Sequence, residues 1–167
     1  MEKIDISLFI LRVGFGLSMV AHGWNKVFSP SGLSGTAGWF NSIGMKWPAL
    51  QARVAASTEI VAGLLMTIGL FTGAASLAFV SLMVVAIVTV HWKVGYFIFL
   101  PNGGWEYCAA IMLTATALSI SGPGDASLDI VLGLPTGYGI VAFPFGLLLA
   151  VCHLTISFRP SSHSVKQ

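Results

Sequence analysis

His22 and Lys26 stand four residues apart, which is one helical turn, and His91 and Glu106 bracket the second long break between apolar segments. In a chain with only 8% charged residues, two imidazoles, an ammonium and a carboxylate at one membrane face form a distinctive set. A His or Lys can donate to a ligand oxygen, and a Glu or His can take up a proton. All five tryptophans, Trp24, Trp39, Trp47, Trp92 and Trp105, cluster around the same face, although aromatic belts ordinarily mark both interfaces of a membrane. Such a face requires both aromatic surface and ionisable groups.

The elements that position these residues follow from composition. With 56% hydrophobic residues and a mean hydropathy of +0.88, the chain is too apolar for one water-surrounded core. An apolar helix of about 20 residues crosses a bilayer, and five segments qualify: Asp5 to Val27, Pro48 to Leu70, Gly73 to Trp92, Trp105 to Ser121, and Gly137 to Phe158. The expected fold is an all-α integral membrane bundle of four transmembrane helices plus a fifth at the C-terminus. Pro144 lies within that fifth segment and is expected to kink it or to leave it partly in the interface. One membrane domain, residues 1–158, is followed by a polar tail, 159–167. Segment one has neither a basic leader nor a small-residue cleavage site and is expected to be retained as an anchor. Net charge is +2 with scattered positives, so nucleic acid is not an expected partner.

Two connections, Phe28 to Trp47 and Lys93 to Gly104, leave the bundle on one side. The first should carry a short interfacial helix over Thr36 to Ile43. The second is rich in Tyr96, Phe97 and Phe99 and reads as a lid. The other side has a tight Phe71–Thr72 turn and the Gly122-Pro123-Gly124-Asp125 loop. Lys26, Lys46, Arg53, Lys93, Arg159 and Lys166 on the long-loop side, against Lys3 and Arg12 on the other, place the long loops in the cytoplasm by the positive-inside rule.

Helix one carries Arg12, Phe15, Met19, His22 and Lys26 within a sector of roughly 80°, at about 100° per residue. An intramembrane charge costs about 3 kcal/mol, so this stripe must face the bundle interior. Glu59, near the middle of helix two, is expected about 5 Å in depth from Arg12 at about 1.5 Å per residue. The two are therefore expected to form a buried ion pair or a proton path. Gly16, Gly23, Gly63 and Gly69 should bring helices one and two close together.

His22, Lys26, His91 and Glu106 form the expected catalytic cluster, binding a quinone headgroup and exchanging protons. Trp24, Trp39, Trp92 and Trp105 supply the aromatic surface around it. A metal on His22, His91 and Glu106, or a haem between the histidines, has no local ligand spacing to support it, and no metal is expected. Cys108 and Cys152 make no C-x-x-C pair and read as small buried hydrophobes, neither beside the cluster. With no dinucleotide, phosphate-loop or haem-attachment motif, electrons must come from a protein partner, with a diffusible quinone and no covalently bound cofactor.

These residues resemble the DoxX family of small bacterial membrane proteins. The resemblance rests on Arg12 with Gly14 and Gly16, the stretch Ala21 to Phe28, Gly44, Glu59 with Gly63 and Leu70, His91, Gly103 to Tyr107, and Gly122-Pro123-Gly124 leading to Ser127-Leu128-Asp129. It implies a four-helix bundle with an oxidoreductase role, in some relatives thiosulfate oxidation coupled to quinone reduction and in others a redox-stress complex. The C-terminal apolar segment departs from the short family pattern. The expected protein is thus a quinone-linked oxidoreductase subunit in the bacterial cytoplasmic membrane. Two other classes fit fewer of its features: a non-catalytic subunit of a larger respiratory or redox complex, and a transporter of small solutes or protons.

Overall fold

The computed structural model describes residues 2–136 and 139–159, which are helical with no strand beyond one isolated bridge. The helices are α1 (Lys3–Phe28), α2 (Gly32–Ser42), α3 (Pro48–Ile68), α4 (Thr72–Ala86), α5 (Glu106–Ser121), α6 (Leu128–Val131) and α7 (Ala142–Ser157). A π-helical turn, Ile87–His91, prolongs α4, and a 3-10 turn, Gly139–Val141, precedes α7. Gly137, where the fifth apolar segment was expected to begin, and the tail from residue 160 onward lie outside the described residues.

Lys3–Phe28, Pro48–Ile68, Thr72–His91 and Gly139–Ser157 are each long and apolar enough to cross a membrane. The short member of the bundle is α5, whose 16 residues cover about 24 Å of a hydrocarbon core about 30 Å thick. Pro144 does not kink α7. It is the third residue of that helix, inside the first turn, where a missing N–H leaves no helical carbonyl unserved. The outer surface carries Ile10, Leu17, Val61, Leu113, Ile120 and Leu148, all exposed, as expected of a lipid-facing surface. The interior is built from Met19, Met66, Phe79, Ile111, Ala115 and Leu118.

Glycines set the register of α1 against the antiparallel α3. A Cβ on Gly16 would come within 2.8 Å of the Gly63 carbonyl oxygen, and one on Gly63 within 2.7 Å of that of Gly16. One on Gly23 would reach the Ala56 carbonyl oxygen at 2.8 Å. Two backbones that approach this closely cannot slide, and the charges on both helices are positioned accordingly.

At the N-terminal face the register places Arg12 against Gly69, so the expected Arg12–Glu59 pair does not form. From Gly69 to Glu59 is about 15 Å along α3 at about 1.5 Å per residue. Arg12 is fully buried; it donates to the Ala126 carbonyl and lies within Coulombic reach of Asp129. Asp129 ties this face together, its Oδ1 accepting from Phe71 N–H (2.7 Å) and its Oδ2 from Thr72 N–H (2.9 Å). Its own N–H donates to the Gly69 carbonyl at 2.8 Å. Asp5 holds the same loop by accepting from Asp125 N–H at 3.0 Å. The Gly-Pro-Gly-Asp-Ala-Ser-Leu-Asp stretch is therefore a plug that caps α4 and accepts a hydrogen bond from Arg12.

The other face carries both long connections, as expected. The interfacial helix is longer than Thr36 to Ile43, running from Gly32 to Ser42, and the end of α7 is tied to the 44–46 segment. Lys46 N–H donates to Ser157 O (2.8 Å), and Arg159 N–H to Gly44 O (2.9 Å).

The glycine register predicts opposite results at two neighbouring positions. Gly16→Ala should lower the melting temperature in detergent, by the equivalent of about 1–3 kcal/mol of overpacking. Gly14→Ala, whose Cβ would meet nothing within 4 Å, should be neutral or stabilising by up to about 1 kcal/mol through helix propensity. Equal effects at both positions would contradict this packing.

Candidate functional site

A cavity of about 370 Å³ lies beneath α2 and the 93–105 connection, between α1, α3, α4 and α5. Its wall is mainly apolar, with Met19, Leu82, Met83 and Ile111 among its residues, and His22, Lys26, Glu59 and His91 converge on it. This is the usual composition of a small-molecule site, an apolar container with a few polar groups that fix orientation.

Lys26 Nζ donates to both carboxylate oxygens of Glu59, at 2.7 and 2.6 Å. The pair is mostly buried, its side chains 20% and 10% exposed. The partner of Glu59 is thus Lys26, one turn beyond His22, and not Arg12. An ammonium and a carboxylate already in contact satisfy each other in a low-dielectric wall, and both keep an edge toward the cavity.

His91 is delivered by the π-helical turn, in which Trp92 N–H reaches Ile87 O at 2.7 Å. Such turns add a residue to a helix and re-aim the side chains beyond it. The His91 Nδ1 lies 2.8 Å from the Gly103 carbonyl oxygen. A carbonyl can only accept, so Nδ1 carries the proton and the neutral ring keeps Nε2 as an acceptor. His22 is exposed on the cavity wall, and its ring centroid lies 5.9 Å from that of Tyr107. The Tyr107 hydroxyl is in turn hydrogen-bonded to Ser18.

Glu106 takes a different position from the one expected. Its Oε2 accepts from Ile98 N–H at 3.0 Å, and its own N–H donates to Tyr96 O at 2.8 Å. It fastens the 93–105 connection over the cavity without lining it. Ile98 and Gly104 of that connection do line the cavity, so Glu106 acts on the site through the lid.

Of the four expected aromatic residues, only Trp39 lines the cavity. Trp24 is 56% and Trp92 65% exposed, and Trp105 stacks on Trp92 with centroids 6.2 Å apart. These three belong to the outer surface at the interface. Cys108 is buried as expected but lines the cavity, whereas Cys152, also expected to be buried, is exposed on α7. Among the described residues no group of three or more His, Cys, Asp or Glu side chains is close enough to hold a metal ion.

Glu59, expected in an ion pair or proton path with Arg12, lines the cavity instead beside Lys26, and Tyr107, Thr89 and Cys108 line it without having been expected there. Tyr107 follows Glu106 directly, about 100° further round α5, and that rotation separates the cavity wall from the lid.

Removing one partner of a mostly buried pair leaves the other charge uncompensated, at a cost of about 3 kcal/mol. Lys26→Met and Glu59→Met should therefore each lower the melting temperature markedly, while the double variant should regain much of the loss. A double variant as unstable as the sum of the two would show that the side chains do not pair.

The comparisons with known proteins agree with this architecture. The DoxX family model matches residues 7–92, which contain most of α1, all of α2 to α4, the ion pair and the π-helical turn. A Bacillus subtilis (strain 168) protein named "Putative oxidoreductase CatD" is 31% identical over 128 residues, covering 77% of this chain and 88% of that protein. No solved structure matches the chain. With the family model matching more than half of the chain and this relative covering 77% of it, the chain is a multi-pass membrane protein of the DoxX family.

Proposed function

We propose that this protein is a quinone-linked oxidoreductase subunit of the bacterial cytoplasmic membrane, and that the α1–α3–α4–α5 cavity binds the quinone headgroup. The observation that carries the proposal is the convergence of His22, His91 and the Lys26–Glu59 pair on one mainly apolar cavity of about 370 Å³. Its size falls within the range of about 300–1,000 Å³ usual for small ligands. A planar ring fits against its apolar wall, and its oxygens need donors at the edge.

A bound quinone accepts an electron pair and a proton on each oxygen. Lys26 supplies a donor whose charge is balanced by Glu59, so it can approach a developing anionic oxygen without carrying a net charge into the bilayer. His22 carries an imidazole whose ring nitrogens can each donate or accept, and it lines the same cavity. His91, held with Nδ1 on the Gly103 carbonyl, offers Nε2 to a hydroxyl of the reduced ligand. Glu106 and the lid limit water access. Electrons enter from a partner redox protein.

The alternative of a non-catalytic subunit has one observation in its favour. Trp92, Tyr96, Phe97 and Phe99 are all exposed on the lid side, a surface on which another membrane subunit could rest.

Binding of a short-chain quinone to the purified protein, followed by calorimetry, separates these readings. His22→Ala should abolish binding with the melting temperature nearly unchanged, and Glu106→Gln should weaken it only modestly through the lid. Binding that survives His22→Ala, or that is absent from the wild type, would overturn the headgroup assignment.

A further inference from the structure

A second cavity, of about 270 Å³, lies between α3, α4 and α7. It shares Phe40, Met45, Ala55, Leu82 and Val85 with the first, so the two are neighbouring compartments divided by a thin apolar wall. Gln51, Thr58, Ser81 and His153 line it. None of these four side chains has a hydrogen-bond partner among the described residues, and Gln51 is only 7% exposed. With no protein partner, the Gln51 carboxamide and the other three polar groups are free to bond to water inside the cavity they line.

The arrangement has a direction. Gln51 is in the first turn of α3, and His153 is one turn before the end of α7. Both therefore lie close to the membrane face where Lys46 Nζ donates to the Ile156 carbonyl at 2.6 Å. From Gln51 the polar lining continues to Thr58, about 10 Å deeper at about 1.5 Å per residue. Thr58 directly precedes Glu59, which faces the first cavity. Polar groups thus lead from the interface to the depth of the Lys26–Glu59 pair.

A space of this size holds several molecules of water at about 30 Å³ each, and the polar side chains can give each water its partners. We infer that the α3–α4–α7 cavity is a hydrated vestibule, with Gln51 and His153 at its mouth and Thr58 and Ser81 inside, that brings water and protons to the Lys26–Glu59 wall of the headgroup cavity. Proton delivery to a ligand rests on the proposed quinone chemistry, whereas hydration of the vestibule does not. Gln51 can both donate and accept, and His153 can exchange a proton, so together they admit water while the flanking Val54, Leu77 and Leu149 exclude lipid headgroups.

The test uses single cysteines in the full-length chain, in membranes, with Cys108 and Cys152 both replaced by alanine. A small water-soluble methanethiosulfonate reagent attacks the thiolate, a form that a thiol surrounded by lipid scarcely populates. Thr58→Cys and Ser81→Cys, two independent and nearly isosteric changes, should be labelled. Leu64→Cys and Leu148→Cys, at exposed apolar positions on the outer surface, should not. Adding Gln51→Leu and His153→Phe should reduce labelling at Thr58→Cys to the level of those controls.

Inertness at both vestibule positions would overturn the inference. Undiminished labelling in the Gln51→Leu, His153→Phe background would overturn the assignment of the mouth. Labelled vestibule cysteines in a protein that binds no quinone would leave the vestibule standing and remove the headgroup reading instead.

Discussion

The close approach of α1 and α3 determines where each charge in this bundle goes. At Gly16, Gly23 and Gly63 the backbones come too near for a side chain to intervene, which leaves a single antiparallel register. In that register Lys26 meets Glu59, and Arg12 falls beside Gly69 near the opposite face. Association within a bilayer gains little from the hydrophobic effect, because lipid tails are as apolar as the helices themselves. Packing at the glycines and the polar pairs they align must therefore provide most of the specificity.

The consequence is a molecule with two dissimilar polar ends. At one, Arg12 donates to the Ala126 carbonyl, Asp5 accepts from Asp125 N–H, and Asp129 spends both carboxylate oxygens on the Phe71 and Thr72 N–H groups, a structural plug built largely on backbone partners. At the other, His22, His91 and the Lys26–Glu59 pair remain directed toward a cavity, beneath a lid fastened by Glu106. A buried charge in a membrane is costly wherever it is placed.

Much of this was legible from residue patterns alone. Apolar lengths gave the five helices, and the 100° step along helix one brought His22 and Lys26 to the interior side. The spacing of glycines announced the α1–α3 contact. Pairing of Arg12 with Glu59 was misread because register was taken from the ends of the apolar segments, whereas the glycine contacts shift it by several residues. Three further features leave no periodic signal. The π-helical turn adds a residue to an otherwise ordinary apolar helix and changes where His91 points. Glu106 and Tyr107 are neighbours in sequence but face different compartments. Asp129 lies in the short helix α6, and its role as a cap of α4 depends on where the chain folds back.

The central claim is that the cavity between α1, α3, α4 and α5 holds a quinone headgroup. Mass spectrometry of an organic extract from the gently purified protein addresses it most directly, with the His22→Ala variant extracted in parallel. Quinone in stoichiometric amount is expected from the wild type, and its loss from the variant. A wild-type protein that carries none, or a variant that retains it in full, would contradict the account.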